Sequence, residues 1–205
     1  MKVILDFGFW IKDEFGELKF TSIVNQEKIE MLEDEQIWNI VEIDGWMIFK
    51  SLQRIYLYNT ISKSIKIINA ESRINKLCKV NDIIYFHQNN KGLFKIENGK
   101  PKLVSDHKVL KENFVVDIFS KDGKLFFITQ ENGFYFIDNE EVVKWNISSD
   151  KFLSKETLYS AKKLENGGFA LGTISNGLIH LNSDGTLNYQ VGQSSGLTNN
   201  TVLSI

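Results

Sequence analysis

The sequence predicts an all-β chain built from repeated four-stranded units. Three observations carry this reading. Short apolar runs alternate with tight-turn signals, and the same run recurs every 37 to 44 residues. No segment between the recurrences has the sustained 3.6-residue apolar period of a helix.

The clearest unit spans 158–191. Its first run is Leu158-Tyr159-Ser160-Ala161, followed by a turn at Glu165-Asn166-Gly167-Gly168. Its second run is Phe169 to Thr173 and its third Leu178 to Leu181, with Ser175-Asn176-Gly177 between them. Asn182-Ser183-Asp184-Gly185 then leads into Leu187 to Val191. Asx-Gly pairs between apolar runs signal hairpins, because both residue types tolerate the positive φ of tight turns. The first run recurs at Ile37, Ile74, Val115, Leu158 and Val202. Four-stranded units of this length stack to bury their faces, which makes the fold class a β-propeller or an open propeller segment.

In chain order, a partial blade covers 1–34, with strands at Lys2 to Leu5, Phe9 to Lys12 and Leu18 to Ile23. Asn25 to Glu35 is polar and reads as a loop. Full blades follow at about 37–70, 74–104, 115–147 and 158–191, and Val202 to Ile205 opens another. The whole of 1–205 is expected to form one propeller domain. The two end pieces would together complete one blade and close a ring, removing its exposed edges. The alternative is an open arc of a larger propeller.

Gly172, Thr173, Gly177, Leu178, Asp184, Gly185, Gly196, Leu197, Asn200 and Val202 give the pattern GT…GL…DG…GL…N-x-V. It resembles the two-component-regulator propeller repeat, found in the extracytoplasmic sensor region of Bacteroidetes-type hybrid histidine kinases and related membrane-spanning transcription regulators. The segment DEFGEL (13–18) with FTSI (20–23) is similar to an early blade of that family. The resemblance implies a periplasmic, non-catalytic sensory module for glycans or other small molecules. The remaining blades of a parent propeller, or a second copy of the chain, are the protein partners it implies. Met1 to Trp10 is too short for a secretory leader and is broken by Asp6, so the resemblance also implies a truncated gene or fragment.

Composition excludes several classes. The formal net charge of −2, with acidic and basic residues interspersed, gives no footprint for nucleic acid. No apolar run approaches the ~18 residues of a membrane span, so direct membrane contact is not expected. A single cysteine, Cys78, rules out an intrachain disulfide; beside an inner strand it reads as a small buried apolar group. Fifteen Phe suit stacked sheets, and Trp10, Trp38, Trp46 and Trp145 are expected in core or interface packing.

A ligand is expected on the face bearing the loops between second and third strands. Those loops carry Arg54, His87, Gln88, Asn89, Gln130, Glu131 and Asn176. With Trp38, Tyr56, Tyr85, Tyr135 and Tyr159 nearby, they could hold a sugar by stacking and hydrogen bonds. Turn residues are also polar simply because they are wet. His87, His107 and His180 have no metal-ligand spacing, and no catalytic triad, nucleophile elbow or phosphate loop is visible. No cofactor and no metal are expected. Interaction scaffold and propeller-type lyase or hydrolase are the alternative classes; the latter needs His87 and Glu131 to converge with a carboxylate.

Overall fold

The structure, a computed structural model, describes residues 6–205. The strand expected over 2–5 lies outside them. Among the described residues, four antiparallel four-stranded sheets and one two-stranded sheet form a propeller-like, all-β architecture. Packing divides the chain into two compact units, Met1–Glu71 and Ser72–Ile205.

In the first unit, β1 (Gly8–Lys12) and β2 (Leu18–Ser22) form a hairpin. Ser22 caps the short helix α1 (Ile23–Gln26), its Oγ accepting from the Asn25 amide at 2.9 Å. Sheet I follows in the order β3 (Asn39–Ile43), β4 (Trp46–Lys50), β5 (Arg54–Asn59), β6 (Ile65–Asn69). Phe7, Ile23 and Val24 pack against its Phe49, Tyr56 and Tyr58, and the Phe7 and Phe49 rings lie 4.6 Å apart. Burying side chains of this size stabilises by roughly 1.5–3 kcal/mol each. Trp10 and Phe20 stand opposite each other in register, 5.4 Å apart, and remain 63% and 43% exposed. Trp38 is exposed too, so Trp10 and Trp38 depart from the expected core role.

The second unit contains three sheets. Sheet II is β7 (Ile74–Val80), β8 (Ile83–Gln88), β9 (Gly92–Glu97) and β10 (Lys100–Ser105). Helix α2 (Lys108–Glu112) leads to sheet III: β11 (Val115–Lys121), β12 (Lys124–Thr129), β13 (Gly133–Asp138) and β14 (Glu141–Lys144). Helix α3 (Asp150–Leu153) leads to sheet IV: β15 (Leu158–Lys163), β16 (Phe169–Thr173), β17 (Leu178–Leu181) and β18 (Leu187–Val191). These strands coincide with the apolar runs of the sequence. First strand β11 neighbours both β7 and β15.

The alternation of each strand sends one set of side chains to each neighbouring sheet. Phe127 and Val115 of sheet III join Val80 and Leu93 of sheet II. On the other face, Phe126, Ile128 and Phe134 meet Phe169, Leu171, Ile179 and Leu181 of sheet IV. Trp145 closes that core edge-on, 5.4 Å from Phe134 and 5.8 Å from Phe169.

The hairpin turns obey residue chemistry. Asp44-Gly45, Asn81-Asp82, Asn98-Gly99, Asp122-Gly123 and Asn139-Glu140 all place both central residues at positive φ, as tight turns between right-twisted strands require. The outermost strands differ in charge: β10 begins Lys-Pro-Lys, β14 carries Glu141 and Lys144, and β6 carries Lys66, whereas β18 reads Leu-Asn-Tyr-Gln-Val.

The strand expected over 202–205 does not form. The Val202 amide donates to the Thr173 carbonyl at 2.9 Å, but Leu203 and Ile205 are exposed; a strand needs a partner along its length. The short helices in the connections were not legible as periodicity, because four or five residues are too few to show one.

Candidate functional site

In the second unit, the loops after the second strands and the connections between sheets share one end. Backbone bonds knit them together. Gln130 N donates to Phe114 O at 2.9 Å, and Gln130 O accepts from Leu158 N at 2.9 Å. Asn89 N reaches Arg73 O, Ile174 N reaches Thr157 O, and Gly177 N reaches Asn200 O at 2.7 Å. A hydroxyl latch recurs in the loops. Thr173 Oγ1 donates to Gly177 O at 2.9 Å and accepts from Asn176 N at 2.8 Å. Thr129 does the same with Gly133 O and Asn132 N, both at 3.1 Å. Ser51 accepts from Arg54 N at 2.9 Å in the first unit.

The sequence-predicted residues have diverse surroundings. His87 is fully buried; its Nε2 lies 2.6 Å from Leu110 O and its Nδ1 3.3 Å from Asn75 Nδ2. Gln88 is buried in β8. Neither side chain presents a surface to a ligand: strand β8 extends through both residues, and each is buried on its own face of the sheet. Asn89 and Gln130 serve through backbone bonds, Asn89 O also accepting from Ser72 Oγ. Asn176 Nδ2 donates to Glu156 Oε2 at 2.7 Å, and Asn176 O accepts from Gln190 Nε2 at 2.6 Å.

Arg54 belongs to a buried cluster in the first unit. Glu35, 7% exposed, accepts from Ser51 Oγ at 2.5 Å, from Tyr56 OH at 2.8 Å and from Leu32 N at 3.0 Å. Arg54 Nη1 lies 3.6 Å from Glu35 Oε2 and donates to Glu30 O at 2.8 Å. Burial, with Glu35 adding to it, pushes the Tyr56 hydroxyl up to about 12. The cluster pins segment 30–35 onto sheet I, and its Arg54 lines a groove of about 540 Å³ between residues 27–33 and Ile65, Ile67 and Asn69 of β6.

Of the seven, Glu131 lines a cleft with uncommitted polar groups. This cleft, about 360 Å³, lies at the loop end of sheet III and is also lined by Asn132, Tyr135, Lys144, Asp150 and Ser154. Lys144 donates to the Asn132 carbonyl, sits 4.7 Å above the Tyr135 ring and stands 3.6 Å from Asp150 Oδ1. Asp150 Oδ2 accepts from Ile147 N at 3.1 Å, while Oδ1 is buried with no hydrogen bond. Partial desolvation holds Lys144 below the ordinary lysine range despite Asp150, and burial raises Tyr135. Phe127 stacks on Tyr135 at 5.5 Å and Lys144 covers it too, so Tyr135 offers no open face for a sugar ring. Tyr56 is fully buried, which leaves Trp38 and Tyr159 as exposed aromatics.

A departure from the repeat creates this cleft. Gly92, Gly133 and Gly177 each follow the second-to-third-strand loop with positive φ. At Gly92 and Gly177, a carbonyl of the fourth strand presses on the glycine: Ser105 O and Val191 O lie 2.3 Å and 2.0 Å from where a methyl group would stand. At Gly133 no main-chain atom comes within 4 Å of that point. Lys144 Nζ at 2.8 Å and Asp150 Oδ1 at 3.2 Å take the place instead. β14 ends at Lys144, and the chain turns through 145–149 into α3. Sequence reasoning missed Lys144 and Asp150; the available signal was the short, four-residue fourth strand followed by Asn146-Ile147-Ser148-Ser149-Asp150.

Among the described residues no group of three or more His, Cys, Asp or Glu could hold a metal, and no helix is long and apolar enough to cross a membrane.

No protein-family model and no curated protein matches the sequence. Solved structures do match its fold. The chain is similar to the extracellular domain of BT3049 of B. thetaiotaomicron, assigned as a hybrid two-component system: TM-score 0.64, 14% identity, 98% of this chain and 29% of that one. It is similar to the extracellular domain of BT4673 of the same organism, assigned to a one-component system: TM-score 0.62, 17% identity, 86% of this chain and 25% of that one. PorZ, a surface component of the type-IX secretion system of Porphyromonas gingivalis, matches with TM-score 0.53 and 10% identity over 77% of this chain and 23% of its own. At these identities the likeness is one of fold. The chain spans about a quarter of the length of the first two, at 25% and 29%. The fold agrees with the one that the repeat motif implies.

Proposed function

We propose that the chain is a non-catalytic, ligand-binding part of the extracytoplasmic sensory region of a bacterial signal-transduction regulator. One observation carries this: 98% of the chain follows the fold of an extracellular domain assigned to a hybrid two-component system; the motif Gly172 to Val202, which resembles the repeat of such domains, agrees with it. A periplasmic location and a glycan or other small-molecule signal accompany the reading. The cleft of Glu131, Lys144 and Asp150 is the ligand site, since loops on a rigid scaffold are where repeat proteins vary. Signalling then requires that the ligand bind one arrangement of the parent protein better than another. A thermal-shift screen of the purified chain against oligosaccharides and small polar metabolites tests this. Saturable stabilisation that is lost when Glu131 is changed supports it; no stabilisation by any member of either panel overturns it.

A second reading has its own observation. The outward pair Trp10 and Phe20, with Leu18 59% exposed beside them, suits an interaction scaffold that meets a further sheet or a second copy. A propeller-type hydrolase draws no support from His87, which is sealed against Leu110 and does not line the cleft with Glu131.

A further inference from the structure

We propose that the sheet III cleft selects a small zwitterion carrying a primary ammonium group, of amino-acid size. The inference rests on the ligand-binding reading above and concerns the chemistry of the same site.

The argument begins with what the repeat does elsewhere. In sheets II and IV the fourth strand's own carbonyl fills the space over the glycine. In sheet III that space holds a cation and an anion that do not complete each other. A separation of 3.6 Å is an ion pair but too long for a hydrogen bond. An ammonium has three donors, and among the described residues only the Asn132 carbonyl engages Lys144 in a hydrogen bond. Asp150 Oδ1 accepts none. The pair is about 30% exposed at each side chain, at 29% and 30%, so solvent quenches neither fully.

The charges then select among ligands. Glu131 and Asp150 line the cleft together with Lys144. A simple anion could take Lys144 but would face two carboxylates, and a simple cation could take the carboxylates but would face Lys144. A molecule with both charges a few bonds apart meets both: its carboxylate draws the flexible Lys144 side chain away from Asp150, and its ammonium donates to Glu131 and to the Asp150 oxygen so uncovered. Charge-assisted hydrogen bonds of this kind are about twice as strong as neutral ones. The cleft volume of about 360 Å³ admits such a molecule but not a long oligosaccharide chain. Tyr135, covered on both faces, removes the aromatic platform a sugar would use.

The test is titration calorimetry of the whole chain with L-serine, L-glutamine and γ-aminobutyrate, with acetate, ethanolamine, glucose and cello-oligosaccharides in parallel. The expected result is saturable binding of the zwitterions, at least tenfold tighter than acetate or ethanolamine. Asp150→Asn and the fully surface-side change Glu131→Gln should each weaken it at least fivefold. Asp150→Asn leaves a single acceptor oxygen, which the Ile147 amide also needs, so Glu131→Gln keeps the test open if the former disturbs the turn. Sugar binding without zwitterion binding overturns this inference and leaves the sensory reading standing. Zwitterion binding unchanged in both variants overturns the site. Binding of neither class overturns both the inference and the reading beneath it.

Discussion

His87 Nε2 donates to the Leu110 carbonyl across 2.6 Å, tying strand β8 to helix α2. The imidazole is fully buried, so it holds the connection between two sheets in place. Replacing it by Leu leaves the carbonyl without a donor. An unsatisfied buried carbonyl costs about 1–3 kcal/mol; equilibrium urea unfolding of His87→Leu should show a loss in that range.

The same histidine sets a pH dependence. Burial lowers its pKa from 6.5, more than the Leu110 bond raises it. The unfolded chain therefore binds the proton first. The contribution of neutral His87 is present above pH 6.5 and is lost as pH falls through the lower folded value. Stability measured from pH 7.5 to 5 should decline in the native chain and decline less in His87→Leu.

At the alkaline end two groups act together. Burial pushes Cys78 up from 9.0 to about 12 and Tyr56 up from 10.0 to about 12. Each is raised above its unfolded value, so the stability they contribute is intact below pH 9 and is lost as pH climbs towards 12. The double variant Cys78→Ala with Tyr56→Phe should flatten the fall of the melting temperature between pH 9 and 11.

The glycines that open the third strands should respond unequally. A methyl group at Gly177 would stand 2.0 Å from Val191 O, against main chain that cannot move aside. At Gly133 it meets the flexible tip of Lys144 at 2.8 Å. Gly133→Ala should cost mainly the positive-φ penalty, about 1–2 kcal/mol. Gly177→Ala should cost more, and thermal unfolding of the pair will rank them.

Glu140 holds a φ of 73° in the Asn139-Glu140 turn, where the related turns of sheets I, II and III use glycine or an Asx residue. Glu140→Gly should stabilise by about 1 kcal/mol, because glycine accepts that conformation without a Cβ penalty. A fall in stability would mean that the Glu140 side chain makes a contact outweighing its strain.

Much of the architecture was legible because each device is local. Asp44-Gly45 and Asn98-Gly99 announce their turns in two residues, and the alternation in Phe169 to Thr173 announces a strand in five. The cleft was not legible, because Lys144 and Asp150 meet only after the chain turns away from β14. His87 falls in a loop by its apolar run, which ends at Phe86, but its strand continues two positions further, to Gln88. Val202 to Ile205 matches the start of a strand in sequence, yet β structure depends on a neighbour that sequence pattern does not supply.

The outer strands carry a consequence for behaviour in concentrated solution. Three of the four four-stranded sheets end in a strand bearing lysine, and β10 adds Pro101, which cannot donate to a further ladder. β18 has neither device, and its Leu187 and Tyr189 are 42% and 50% exposed. Filament growth by strand addition would therefore begin at 187–191, and a lysine placed at Asn188 would act as the missing gatekeeper.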